Sequence, residues 1–327
     1  MRPENFYNKF SKTLDNAVSF LILPHVSADG DAVGSSLALY YFLTAYGKKA
    51  RVVMDEPVPD KYAFLDEEKV LEVFSAEGEY EADACFALDT GDIKRLGNRQ
   101  AIFNCRCTWN IDHHKTNTEF AEYNFVDITA ASTGEIIYSI FTEFKIEIDK
   151  QTAQSLFTAI STDTGGLRYS NTTAGSMRIC ADLLEKDIDV SDISHRVFDM
   201  TPYRKLLLMA VAIENLRLHF GGKLALITLK KEDYTFLMGK DEYFDGIVNI
   251  ANNTEGVMAG ILMRETTSGE IKVNMRSSSD DIDVALFANS NGGGGHVRAA
   301  GFTAGDREFG AVYKQIIEYF GKVLENA

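Results

Sequence analysis

The sequence predicts an α/β protein: an N-terminal parallel sheet with helices on both faces, a helical linker, and a smaller α/β domain. Three observations carry this. The chain has 327 residues, too many for one ordinary core. In its first half, short apolar runs alternate with segments of helical spacing, the pattern of strand–helix–strand units. From about Asp192 the pattern becomes mostly helical, and after Phe220 a second set of strands and helices begins. The domain limits read from this are 1–190, 191–218 for the linker, and 219–327.

Taken in order, Ser19–Leu23 (SFLIL) is a short buried-strand run, and VGSSLALYYFLTAYG follows with helical spacing up to Gly47. Ala50–Met54, Ala84–Leu88 and Cys107–Ile111 are the next strand runs. STGEIIYSIFTEF and DKQTAQSLFTAISTDT are helix candidates. In the second half, Pro202 marks a helix start, KLALITL is a strand, and GVMAGILMRET with EIKVNMRSS reads as a hairpin. The chain closes on the helical stretch FGAVYKQIIEYFGKVLENA.

Composition narrows the function. Apolar residues at 45% and charged residues at 25% are ordinary for a soluble domain. No apolar run has the length of a membrane span, and the N-terminus lacks a signal pattern, so the expected location is cytoplasmic. The four cysteines are expected to be reduced thiols. A net charge of −15 argues against binding long nucleic acid but leaves room for a small phosphate ligand in a local pocket. For assembly, the base-rate expectation is an isologous homodimer.

The chemistry concentrates at strand ends. His25, Asp29 and Asp31 form H-x-x-x-D-x-D after the first strand; Asp89 follows the CFAL strand; Asp112, His113 and His114 follow CTWNI; Asp163 follows LFTAIST. In an open parallel sheet these positions share one edge, where ligands bind. Asp29, Asp31, Asp89, Asp112 and Asp163 together would carry five negative charges, which cannot all persist at close range without compensation. Two divalent cations nearly cancel them. Oxygen-rich donors with one or two imidazoles suit Mn²⁺ or a similar ion, and paired metals serve phosphoester hydrolysis.

The order H-x-x-x-D-x-D-x-x-G, then ALDTGD, DHH and STDTGG resembles the signature of the DHH phosphoesterase superfamily. The resemblance implies that His25, Asp29 and Asp89 hold a first metal. It implies that Asp31, Asp89, His113 and Asp163 hold a second, with Asp89 bridging. Mn²⁺ is the expected ion, with Co²⁺ or Mg²⁺ as the alternatives. Asp112 and His114 would act beside the metals, the carboxylate orienting an imidazole and the imidazole meeting phosphate or the leaving group.

NGGGGHVRAAGF, from Asn291, resembles the DHHA1 domain, the substrate-binding half of one branch of this superfamily, and the length fits its compact NrnA type. Glycine-rich loops let backbone N–H groups approach phosphate. The resemblance implies a substrate set of Gly293, Gly294, Gly295 and His296, with Arg276 and Ser277 of VNMRSSS. Arg298 is a weaker phosphate candidate. Arg168, just after Asp163, is placed to meet phosphate, and Tyr169 to stack on a base. The implied activity is hydrolysis of very short RNA oligonucleotides to nucleoside monophosphates, with 3′-phosphoadenosine 5′-phosphate as a further substrate. The alternative is an inorganic pyrophosphatase or short-chain exopolyphosphatase.

Overall fold

The computed structural model describes residues 3–237, 241–279, 281–305 and 307–325. The chain divides into two compact units, residues 1–200 and 201–327. The segment 191–218 is shared: its first part folds with the first unit and its helix with the second.

The first unit opens with α1 (Pro3–Asn16), β1 (Ser19–Pro24), α2 (Gly30–Ala45), β2 (Lys49–Met54) and β3 (Leu71–Val73). It continues with β4 (Ala84–Leu88), β5 (Cys107–Asp112), β6 (Tyr123–Val126), α3 (Thr133–Phe144), α4 (Lys150–Asp163), α5 (Ala174–Leu184) and α6 (Val190–Ser194). Six strands form one parallel sheet in the order β3-β2-β1-β4-β5-β6. Phe20, Ile22, Phe86, Trp109 and Ile111 face the α-helical layer, sealed by Phe6 and Phe10 of α1. Leu21, Leu23, Cys85 and Ala87 face the other way, against Leu96 and Phe103 of the 3-10 segment that follows β4.

The order reverses direction between β1 and β4, which makes their carboxyl ends the switch point where such sheets bind ligands. Two glycines bring the helices in behind it. A Cβ on Gly34 of α2 would fall 2.3 Å from the Ser155 carbonyl oxygen, and one on Gly30 would fall 2.4 Å from Thr162. Only glycine lets α2 and α4 approach this closely, with the start of α2 beside the end of α4.

One sequence expectation is corrected. Cys85 and Cys105 are joined as a disulfide, their Cα atoms 5.7 Å apart, while Cys107 and Cys180 are free. The sheet brings β4 and the segment before β5 together, which spacing along the chain does not reveal. Among the described residues no helix is long and apolar enough to cross a membrane.

The second unit comprises α7 (Tyr203–Glu214), β7 (Leu216–His219), β8 (Leu224–Leu229), α8 (Lys231–Tyr234), α9 (Ile247–Asn252), β9 (Ala259–Glu265) and β10 (Ile271–Ser277). It ends with α10 (Val284–Ser290), β11 (Gly294–His296), β12 (Ala299–Thr303) and α11 (Phe309–Glu325). Its sheet runs β11-β12-β10-β9-β8-β7, antiparallel except for β8 with β9. Val273 and Met275 face α10 and α11, while Ile227 and Leu262 face α7 and α9.

Candidate active site

The carboxyl edge of the first sheet gathers the predicted residues. His25 follows β1, Asp89 follows β4, Asp112 ends β5 and Asp163 ends α4. Asp29 caps α2, accepting from the backbone N–H groups of Asp31 and Ala32 at 3.1 Å each. Asp31 is fully buried, and the start of α3 holds its carboxylate: Thr133 N–H donates at 2.6 Å and Gly134 N–H at 2.9 Å. A helix N-terminus stabilises an anion there.

Three groups of side chains hold their ligand atoms within 4.8 Å of one another: His25, Asp29 and Asp89; Asp31, His113 and Asp163; and Asp89, His113 and His114. Asp89 joins the first group to the others with different oxygens. Its Oδ2 lies 3.5 Å from His25 Nε2, and its Oδ1 lies 3.5 Å from His113 Nε2. Thr133 Oγ1 steadies Oδ1 at 3.1 Å. Asp89 takes a left-handed backbone (φ 53°), which is costly away from glycine and is held by the surrounding structure.

Protons balance this charge. Burial works against the His25 cation, yet the Asp29 and Asp89 carboxylates outweigh it and raise its pKa to about 9. The Asp29 carboxyl, although exposed on one side, is desolvated enough to oppose its ionisation, yet His25 draws it down to about 2. Burial, then Asp89 and Asp29, push Asp163 up to about 7. Burial, then Asp89 and Asp163, push Asp31 well above the ordinary carboxylate range. A donor set that gathers protons onto its carboxylates fits divalent cations, which would replace those protons. The tautomers also fit. His25 Nδ1 lies 2.6 Å from the Val26 carbonyl, and donating there leaves Nε2 facing the carboxylates. The same Nδ1 lies 2.8 Å from Arg95 Nη2, a contact that only the other tautomer accepts. The carbonyl contact is the one compatible with Nε2 as a ligand.

Asp112 and His114 sit at one side. His114 Nδ1 donates to Asp112 Oδ1 at 2.7 Å, and Asn117 Nδ2 reaches Asp112 Oδ2 at 2.5 Å. Asn117 Nδ2 is also 2.7 Å from Asn110 Oδ1, and Asn110 Nδ2 donates to the Thr90 carbonyl at 3.0 Å. Burial opposes ionisation of Asp112, but the hydrogen bonds from His114 and Asn117 hold its pKa below the usual value. Asn117 and Asn110 are the residues that sequence reasoning passed over; their signal was position, within or just before IDHHKTN. In an extended segment adjacent side chains oppose one another, but β5 ends at Asp112, and the His113 and His114 rings lie 4.5 Å apart.

Arg168 follows a turn in which Gly165, Gly166 and Leu167 all have positive φ, and its Nε donates to the Gly165 carbonyl at 2.6 Å. Tyr169 is exposed, its ring lying where a Cβ on Gly165 would fall.

In the second unit, the glycine-rich stretch is a hairpin rather than an open loop. Gly294 pairs with Gly301 and His296 with Ala299, while Arg276 pairs with Ala299 from the other side. Directly paired residues share a face, so His296, Ala299 and Arg276 form one row, and Gly294, Gly301 and Asn274 the next. Ser277 alternates to the opposite, buried face, and its hydroxyl donates to the Ser279 carbonyl at 2.8 Å. Arg276 and Ser277 therefore do not act from one face. Arg298 lies in the turn, where its carbonyl accepts the Ser277 N–H at 3.0 Å.

The glycines divide. A Cβ on Gly293 would fall 2.2 Å from the Gly301 carbonyl oxygen, and Gly295 has φ 142°. Gly294 meets nothing closer than 3.6 Å and is exposed. The hairpin requires glycine at 293 and 295; at 294 it does not.

The chain matches the DHH family, N-terminal domain over residues 19–160, and the DHHA1 domain over residues 240–322. It is 30% identical over 315 residues to a Thermus thermophilus protein named "Bifunctional oligoribonuclease and PAP phosphatase NrnA", covering 94% of this chain and 90% of that one. The Bacillus subtilis protein of the same name is 23% identical, over 89% of this chain and 90% of that one. A crystal structure of an exopolyphosphatase-related protein from Bacteroides fragilis superposes with a TM-score of 0.87 at 28% identity, covering 99% of this chain and 96% of that one. With the H-x-x-x-D-x-D, DHH and glycine–histidine elements placed as described, the chain belongs to the DHH/DHHA1 phosphoesterase family and is of the NrnA type.

Proposed function

We propose that this protein hydrolyses very short RNA oligonucleotides to nucleoside monophosphates and also removes the 3′-phosphate of 3′-phosphoadenosine 5′-phosphate. The observation that carries the reading is Asp89, whose two oxygens face two separate donor groups. His25, Asp29 and Asp89 would hold one divalent cation, and Asp31, Asp89, His113 and Asp163 the other. Mn²⁺ suits this oxygen-rich set with two imidazoles. When bound, such a pair lowers the pKa of water and stabilises charge on the phosphoryl oxygens.

The protein's own groups do the rest. Asp112 keeps the His114 proton on Nδ1, so Nε2 is presented outward to accept or deliver a proton at the leaving oxygen. Arg168, in the turn that follows Asp163, has its Nε tied to the Gly165 carbonyl and would offer its terminal nitrogens to phosphate. In the second unit Arg276 and His296, on one face with the bare Gly294 backbone, recognise a nucleotide phosphate. Ser277 and Arg298 would shape that element through their backbone contacts. These substrates place its work in the cytoplasm.

The relatives' names support this reading, and the likeness to the exopolyphosphatase-related protein of Bacteroides fragilis favours a second, the exopolyphosphatase. Incubating the protein and Mn²⁺ with a 5′-phosphorylated diribonucleotide, pyrophosphate or short polyphosphate decides between them. Mononucleotides are the expected product. Their absence across a metal and pH screen would overturn the reading.

A further inference from the structure

A cavity of about 380 Å³ lies within the first unit, lined by residues outside the carboxylate cluster. Phe157, Leu167 and Phe198 give it apolar walls, and Ser161, Ser194, Arg168 and Asp199 give it polar ones. Its near wall is the segment that supplies Asp163: Ser161 precedes that residue and Gly166 follows it. Consecutive Cα atoms are ~3.8 Å apart, so Gly166 lies within roughly 11 Å of Asp163 along the chain. The turn doubles back, Gly166 N–H donating to the Ser161 carbonyl at 2.7 Å. The cavity wall and Asp163 thus share one short, doubled-back segment.

The far wall is a π-helical turn, His195–Asp199, closed by Met200 N–H on the His195 carbonyl at 2.8 Å. Turns of this kind are uncommon and concentrate at functional sites. This one is anchored by Arg196, whose Nε donates to Asp192 at 2.7 Å and whose guanidinium stands 5.5 Å from the Phe64 ring centroid. Phe198 is left 37% exposed, a large ring presented rather than packed away. Opposite it, Arg168 follows Leu167, whose φ of 64° is costly for a branched side chain.

We propose that this cavity seats a nucleobase of the substrate, with Phe198 as its stacking face and Arg168 on the ribose–phosphate side. The inference rests on the nucleotide-hydrolase reading above. A chain of inorganic phosphates needs a basic lining, whereas this cavity offers one cation, Arg168, and one carboxylate, Asp199, among apolar and hydroxyl groups. A flat apolar ligand with polar edges matches it, and stacking tolerates any base. Tyr169, the stacking candidate in the sequence, is not in its wall; its ring lies against Gly165.

The test uses the Mn²⁺-loaded protein, a 5′-phosphorylated dinucleotide, its two analogues each lacking one base, and a dinucleotide carrying 2-aminopurine. The Phe198→Ala variant should raise KM for the dinucleotide about tenfold, the loss expected of one base–aromatic stack, with kcat changed less than twofold. It should raise KM for one of the two base-less analogues far less. The Phe198→Tyr variant should restore KM. Binding should quench the 2-aminopurine fluorescence in the wild type, and this should be lost in Phe198→Ala and in the cavity-filling Ser194→Trp.

Equal losses on all substrates, or quenching retained in both variants, would overturn the assignment. Turnover of dinucleotides with KM unmoved in both variants overturns the cavity and leaves the enzyme reading standing. Variant-sensitive quenching in a wild type that hydrolyses no nucleotide overturns the enzyme reading and leaves the cavity standing.

Discussion

Asp112 Oδ1 accepts the Nδ1–H of His114 at 2.7 Å, and this contact separates the work of two adjacent histidines. Among the described residues His113 has no such tether. Its Nε2 lies 3.2 Å from Asp163, 3.5 Å from Asp89 and 3.9 Å from Asp31, in the middle of the carboxylates. His114 Nδ1 also lies 3.6 Å from Asp89 Oδ1, but in the proposed mechanism His113 is the ligand and His114, held by Asp112, is left for proton transfer. The His113→Ala variant is therefore expected to lose about one of two bound Mn²⁺ ions by elemental analysis. His114→Ala and Asp112→Asn should keep both while kcat falls roughly 10²-fold, the scale of a lost acid–base group. Equal metal loss in His113→Ala and His114→Ala would show that both rings are ligands.

Gly294 offers a cleaner probe of the second unit than its neighbours. Nothing in the fold forbids a methyl group there, and its φ is not positive. If its bare backbone serves a phosphate, Gly294→Ala should leave Tm within about 1 °C while raising KM for the dinucleotide several-fold. Gly293→Ala should lower Tm by several degrees, since its Cβ would meet the Gly301 carbonyl and Phe302. An unchanged KM in a stably folded Gly294→Ala protein would remove the glycine backbone from substrate binding.

Gly34 links helix packing to the cluster. Its α2 backbone lies against α4, and the same pair of helices carries Asp31 and Asp163. Gly34→Ala must push the helices apart, an overpacking cost of about 1–3 kcal/mol. The expected result is a lower Tm together with weaker Mn²⁺ binding, because His113 reaches both carboxylates only across that gap. A drop in Tm with metal affinity intact would mean that the cluster tolerates the shift.

The strand-end logic made most of the first unit legible. Runs such as SFLIL and ACFAL are apolar on both faces, the mark of buried parallel strands, so His25 and Asp89, one or two residues past them, had to reach the carboxyl edge. What stayed hidden depends on contacts made through space. Asn117 is one polar residue in a polar turn until the fold brings its amide between Asp112 and Asn110. The resemblance pairs Ser277 with Arg276, yet strand alternation puts their side chains on opposite faces. The disulfide between Cys85 and Cys105 likewise follows from sheet packing.

The carboxylate cluster also sets a pH dependence whose sign follows from its protons. His25 is raised to about 9, so the stability it contributes is complete below its unfolded value near 6.5 and is lost as pH rises through about 9. Asp163 is raised to about 7, so the folded state holds a proton that the unfolded chain has released, and stability falls as pH climbs from about 4 through 7. Asp29, lowered to about 2, has the opposite sign, but its contribution is lost only as pH falls from about 4 toward 2. Between pH 6 and 9 the first two act in the same direction, joined by Asp31, raised by burial, and His114, raised by its hydrogen bond to Asp112, so the chelator-treated protein should melt at progressively lower temperature. Divalent cations displace those same protons, so apparent Mn²⁺ affinity should rise about tenfold per pH unit for each proton released. The gap in Tm between Mn²⁺-loaded and metal-free protein should therefore widen steadily over that window. Two melting curves that shift in parallel with pH would mean that the cations do not replace these protons and bind elsewhere.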